Sequence, residues 1–201
     1  VVKSYNFATS YLENWGDGNF KLHQMPLISQ ISPVEVIVVD DINHDGNLDV
    51  LLTGNAYQNE VSTGRYDASK GALLKGNGDG SFKVVPLEES GFVNDFDGSG
   101  LGILRDINGN TFVLSANNNG PLKVFETNYP QKNNKTIFVD DDTQFATIFY
   151  KNGDQQKLEF YYGFGYLSQS TRSILINDKI KKIQTTNFKG IKRNVYNEKV
   201  N

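Results

Sequence analysis

One turn occurs twice in this chain. Asn14-Trp-Gly16-Asp17-Gly18-Asn-Phe20-Lys21 recurs as Gly76-Asn-Gly78-Asp79-Gly80-Ser-Phe82-Lys83, an offset of about sixty residues, within the range of propeller or solenoid units. Asp-Gly between β-prone residues is a tight hairpin signal, because both central turn positions need φ > 0. A second motif keeps the same period. Asp41-Ile-Asn43, leading into residues 50–55 (VLLTGN), is echoed by Asp106-Ile-Asn108, leading into residues 113–118 (VLSANN). Two independent motifs on one period make the N-terminal part of the chain repeat-built β-structure.

Strands follow from the pattern. Residues 34–40 (VEVIVVD) form a continuous β-branched run, which predicts a strand buried on both faces. Residues 48–54, 71–75 and 81–85 complete a set of four, the layout of a propeller blade. The next period offers 101–105, 111–115 and 122–125. A blade needs neighbours on each face, and residues 1–127 supply one full unit and two partial or degenerate ones, so the expectation is a ring completed by sequence upstream of Val1. Residues 128–135 (NYPQKNNK) are polar and contain a Pro, which reads as a linker. Beyond it, 136–140, 144–150, 157–162, 172–176, 181–185 and 193–196 predict a small all-β domain over 136–201. Ten Tyr, 13 Phe and 19 Gly in 201 residues suit strands and turns.

The segment 41–49 (DINHDGNLD) carries the clearest chemistry. Calcium takes six to eight oxygens at roughly 2.3–2.6 Å, and short side chains at alternate positions of a tight loop can converge on it. Asp41, Asn43 and Asp45 are expected to give side-chain oxygens, Asn47 its backbone carbonyl, and Asp49 both carboxylate oxygens, with Gly46 allowing the reversal. An EF-hand is excluded, because its closing position is Leu52 and the flanks are strands. Converging carboxylates repel one another without a cation. Other acidic groups read as structure: Asp95-Phe-Asp97-Gly-Ser99 lacks a closing carboxylate, Asp106-Ile-Asn108-Gly-Asn110 is a metal-free copy, and Asp140, Asp141 and Asp142 form a solvated strand end.

Composition excludes several classes. There is no cysteine, hence no disulfide, thiolate zinc site or cysteine nucleophile. A charge of −3 argues against a nucleic-acid surface; Lys179, Lys181, Lys182, Lys189, Lys192 and Arg193 read as solvated strand faces. No apolar run approaches the roughly 20 residues of a membrane span. The first residue is Val and no signal peptide is visible, so a processed or partial chain is expected.

The 41–49 loop, its Val-rich preceding strand and the hairpin at 76–82 together resemble the FG-GAP or VCBS repeat, over roughly residues 12–126. The resemblance implies calcium-bearing propeller blades, with Asp41, Asn43, Asp45, Asn47 and Asp49 at the ligand positions. His44 stands where Gly is common and is expected to point outward. Gly163-Phe-Gly165-Tyr-Leu167-Ser-Gln169-Ser-Thr-Arg172 resembles the Gly-Tyr-Leu-Ser-Gln stretch of the ASPIC/UnbV domain, although Asn187-Phe-Lys-Gly190 replaces the usual Trp-Pro-Asp-Gly. That domain follows such propellers in proteins of the cartilage acidic protein type, frequent in Bacteroidota. The fold expected is therefore all-β, the C-terminal blades of a calcium-binding propeller followed by a small β domain.

The function expected is a non-catalytic, calcium-stabilised binding module, extracellular or on the bacterial outer membrane. Its partner would be a protein or glycan, with upstream blades or other surface subunits alongside; the resemblance also implies a place beside an outer-membrane nutrient-uptake complex, through an upstream lipoprotein anchor. Competing expectations are a polysaccharide lyase or hydrolase and a structural cap for an upstream domain. Against catalysis stand only two histidines, His23 and His44, no Gly-x-Ser-x-Gly elbow, and Ser168 and Ser170 without an evident base. Trp15, Tyr57, Tyr66 and the Phe160-Tyr161-Tyr162 run could stack on sugars, but aromatics in β-repeats more often pack across strands.

Overall fold

The computed structural model describes residues 3–128, 135–163 and 165–198. The fold is β throughout, with one 3-10 turn at Leu27–Ser29 and one helical turn at Leu87–Ser90 among the described residues. No helix is long and apolar enough to cross a membrane. Two compact units are present: Val1–Leu101 with Leu114–Phe125, and Gly102–Val113 with Glu126–Asn201. One division falls at Glu126, and residues 102–113 belong with the second unit. Of the expected linker at 128–135, residues 129–134 lie outside the described residues and Lys135 opens a strand.

In the first unit, β1 (Ser10–Gly16) and β2 (Asn19–Gln24) form a hairpin across Asp17 and Gly18, both at positive φ, as the Asp-Gly signal requires. Next come β3 (Val34–Asp40), β4 (Asp49–Gly54), β5 (Ala72–Gly76) and β6 (Phe82–Val85), a sheet in the order β3-β4-β5-β6 with every neighbour antiparallel. These are the four strands read from one repeat period. A three-stranded sheet then follows in the order β7 (Gly98–Arg105), β8 (Thr111–Asn117), β9 (Lys123–Glu126).

One expectation for the first sheet fails. β3 is buried on one face only: Val36 and Val38 point inward while Ile37 and Val39 are exposed. Among the described residues β3 is an edge strand paired with β4 alone, and only its Val36 and Val38 side chains, on the face they share with Thr53 and Leu51 of β4, are buried. The strand buried on both faces is β4, every residue of which is buried. Val50 and Leu52 on β4, with Ala72 and Leu74 on β5, form a core with Met25, against which Tyr11, Ile28, Val34 and Phe82 pack. Burial of such side chains contributes about 1.5–3 kcal/mol each.

The second unit pairs β10 (Lys135–Phe138) with β13 (Ser173–Ile176). Its larger sheet runs β12 (Gln155–Glu159), β11 (Thr143–Tyr150), β14 (Ile180–Asn187), β15 (Lys192–Asn197). Ala146, Ile148, Phe160, Ile174, Ile176, Ile180 and Ile183 fill its core. The strand expected to run to Tyr162 ends at Glu159; Phe160 turns into the core while Tyr161 and Tyr162 stay exposed.

Gly76, at the end of β5, lies directly against the backbone just before β4. A Cβ there would lie 2.1 Å from the Leu48 carbonyl oxygen, a backbone atom that no rotamer change can move. Gly76→Ala is expected to destabilise the first unit by about 1–3 kcal/mol, read as a lower midpoint in urea; an unchanged midpoint would contradict this packing.

Candidate metal centre

The acidic loop joins β3 to β4, and its ends are held by the Asp40↔Asp49 pair. Its geometry comes from carboxylate and amide oxygens drawing in the loop's own backbone N–H groups, the Asx-turn chemistry of short side chains. Asp45 N–H donates to Asn43 Oδ1 (2.9 Å), Gly46 N–H to Asp41 Oδ2 (3.0 Å) and Asn47 N–H to Asp45 Oδ1 (2.9 Å). Gly46 takes φ 95° and His44 φ 61°, left-handed conformations that Gly adopts freely and His more readily than most residues. The His44 ring does not simply point outward as expected; its Nε2 atom is buried.

Asp49 is the hub. It is 1% exposed. Oδ2 accepts from Ile42 N–H (3.1 Å) and Asn43 N–H (3.3 Å), and Oδ1 from Gly76 N–H on β5 (3.0 Å). One carboxylate at the start of β4 thereby ties the loop to the adjacent strand β5. Burial pushes its pKa up, against the lowering effect of these three N–H groups. Its two oxygens are engaged by protein amides, which differs from the expectation that both would close a metal shell.

The remaining expected ligands divide. Asp41 Oδ1 is buried and has no hydrogen-bond partner. Burial pushes the Asp41 carboxyl up to about 6, with Asp45, Asp49 and Asp40 adding repulsion and the Gly46 N–H opposing it. Burial would also raise Asp45, but the Lys75 ammonium and the Asn47 and Asn43 hydrogen bonds outweigh it and leave Asp45 below the usual range. Lys75 Nζ stands 2.9 Å from Asp45 Oδ2, and Asn43 Nδ2 donates to the same oxygen. Lys75 and Gly76 were not legible as parts of this site, because only the β4–β5 register brings them there. Among the described residues, no three or more His, Cys, Asp or Glu side chains form a group that could hold a metal ion. The fit to a hard cation is therefore partial: Asp41 offers an unsatisfied oxygen, Asn43 Oδ1 keeps lone-pair capacity beyond the Asp45 N–H bond, and Lys75 is a competing cation beside Asp45.

The other acidic segments are engaged locally. Asp106 accepts from the N–H groups of Asn108 and Asn110 and from Asn110 Nδ2. Asp95 pairs with Lys123 at 2.8 Å, and Asp140, Asp141 and Asp142 are exposed on the turn before β11. Of the two serines considered as nucleophiles, Ser170 Oγ accepts from Ile103 N–H and Ser168 Oγ donates to the Tyr166 carbonyl. His23 bonds Glu13 and stacks on Tyr11. No known protein-family model matches the chain, and no curated protein is significantly similar to it.

Two outcomes follow from this geometry. Asp49→Ala leaves three buried or half-buried N–H donors without their acceptor and is expected to cost about 3 kcal/mol, checked by chemical denaturation; a loss below roughly 1 kcal/mol would contradict the hub. The second concerns pH. A carboxyl raised from 3.8 to about 6 in the fold binds more protons folded than unfolded between those values. Its contribution to stability is full below the lower value and is lost as pH rises through the upper one. In a metal chelator, the melting temperature should therefore rise as pH is lowered from 7.5 to 5. A fall across that window in the wild type, but not in Asp41→Asn, would contradict the assignment.

Proposed function

We propose that this chain is a non-catalytic, calcium-stabilised binding module of an extracellular or cell-surface protein, built from FG-GAP/VCBS-type propeller units and followed by an ASPIC/UnbV-like region. The observation that carries the metal reading is the Asp41 oxygen, buried and unpartnered in a loop where three further carboxylates repel it. A bound cation relieves both conditions at once. Asp41, Asn43, Asp45 and the Asn47 carbonyl would hold it, with Asp49 fixing the loop behind them. An all-oxygen set favours calcium over magnesium, which keeps its waters.

On this reading the ion is a brace. Its binding free energy adds to folding free energy, and extracellular modules need affinities of only about 10⁻⁴–10⁻³ M. The module would contact a protein or a glycan; within the second unit, the exposed Tyr161 and Tyr166 side chains are suited to stacking on sugars.

The test is calcium titration by calorimetry with thermal unfolding, using magnesium as the comparison. Calcium at about 100 times its Kd should add about 2.7 kcal/mol, magnesium should add much less, and Asp41→Asn should weaken calcium at least about tenfold. Removing the internal competitor with Lys75→Met should strengthen calcium binding. Absence of calcium binding, or binding unaffected by Asp41→Asn, would overturn the assignment.

A further inference from the structure

The four-stranded sheet of the second unit has two unlike faces. Its strands β12, β11, β14 and β15 are antiparallel throughout, so residues directly opposite one another share a face. Ala146, Ile148 and Ile183 turn into the core. The residues alternating with Ala146 and Ile148 on β11 therefore project from the other face. There one row crosses the sheet as Lys157, Thr147, Gln184 and Asn194. Phe145 and Phe149 flank Thr147 along β11, and the rows they head carry Lys192 and Lys182. No aliphatic side chain stands among the paired residues of these three rows.

The basic stretch read from the sequence as solvated strand faces is divided by this register. Arg193 has the opposite parity and bonds Asp140. Lys157 is paired with Glu159 of its own strand. Lys182 and Lys192 make no ion pair among the described residues, so the face carries two uncompensated ammonium groups. Between them, Gln184 Nε2 donates to Asn194 Oδ1 (3.1 Å), which sets two amides side by side and leaves the Gln184 carbonyl oxygen and the Asn194 N–H groups to other partners. Both rings are covered in part by a lysine: Lys182 Nζ lies 5.4 Å from the centre of Phe149, and Lys157 Nζ 4.6 Å from that of Phe145.

We propose that this face binds an acidic oligosaccharide. Its carboxylates would reach Lys182 and Lys192, its hydroxyls the Gln184–Asn194 amides, and its ring faces Phe145 and Phe149. A carboxylate that draws the Lys182 ammonium to itself uncovers the Phe149 ring on which the neighbouring sugar then packs. At roughly 3.4 Å per residue the two rings stand about 14 Å apart, so the ligand is an oligomer and not a single sugar. A peptide recognised by a sheet adds to its edge, whereas these groups project from its face. The proposal rests on the binding-module reading, for which it names the partner, and uses no residue of the calcium loop.

The experiment titrates the whole chain with an oligogalacturonate, its methyl ester and an oligoglutamate of equal charge. A metal chelator is present throughout, so that calcium does not bridge the carboxylates. Calorimetry reads affinity and amide NMR shifts read position. The acid should bind at least about tenfold more tightly than the ester and weaken with added salt, with shifts centred on residues 145–149, 182–186 and 192–194. Lys182→Gln with Lys192→Gln should remove at least about tenfold of the acid's affinity and its preference over the ester, while the unfolding midpoint stays unchanged. Phe145→Ala should weaken the acid without altering its salt dependence. Equal binding of acid and ester overturns the proposal while leaving a module for neutral glycans in place. Oligoglutamate binding as tightly as the oligogalacturonate overturns it in favour of an acidic peptide. Absence of acid binding, or affinity unaffected by the two lysine substitutions, overturns it outright; the calcium titration decides the metal reading separately.

Discussion

A single buried carboxylate organises the first unit. Asp49 begins β4 and accepts hydrogen bonds from Ile42, Asn43 and Gly76, so the loop before it and the neighbouring strand β5 are fixed to one side chain. Hydrogen bonds to an ionised acceptor are about twice as strong as neutral ones. A carboxylate removed from water without such donors would instead be strongly destabilising. The acidic loop is thus held by a charge that must be buried where it is, and the backbone donors around it are what make that burial tolerable.

The same loop shows why charge balance matters more than the count of acidic residues. Asp40, Asp41, Asp45 and Asp49 lie within one short connection. Asp45 is neutralised in part by Lys75, and Asp49 is satisfied by amides. Asp41 has one oxygen engaged by Gly46 and the other unsatisfied. On the proposed reading, the loop has its own ammonium for one carboxylate and needs an external cation for another. Elsewhere in the chain the equivalent segment at Asp106 resolves the problem differently, by turning its carboxylate onto the Asn108 and Asn110 amides.

Much of the fold was legible before any coordinates. The repeated Asp-Gly turns marked the β1–β2 and β5–β6 hairpins, and the β-branched run located β3 to the residue. What failed was its environment: Val36, Ile37, Val38 and Val39 are apolar at both parities, so sequence alone does not say which face lacks a neighbour. The acidic loop was legible as a candidate site, yet the role of Asp49 in tying it to β5 was not. Its partner Gly76 lies 27 residues away, and only strand register brings the two together. Residues 102–113 illustrate the same limit, since repeat spacing groups them with the preceding strands while contacts group them with the second unit.

Amide hydrogen exchange resolved by residue tests the central claim most directly. If Asp49 is the hub, the amides of Ile42, Asn43 and Gly76 are protected in the wild type and lose protection together in Asp49→Ala, whereas the hairpin amides of Phe20 and Lys21 do not change. Gly76 exchanging at the rate of an open loop in the wild type, or keeping its protection without the carboxylate, would contradict it.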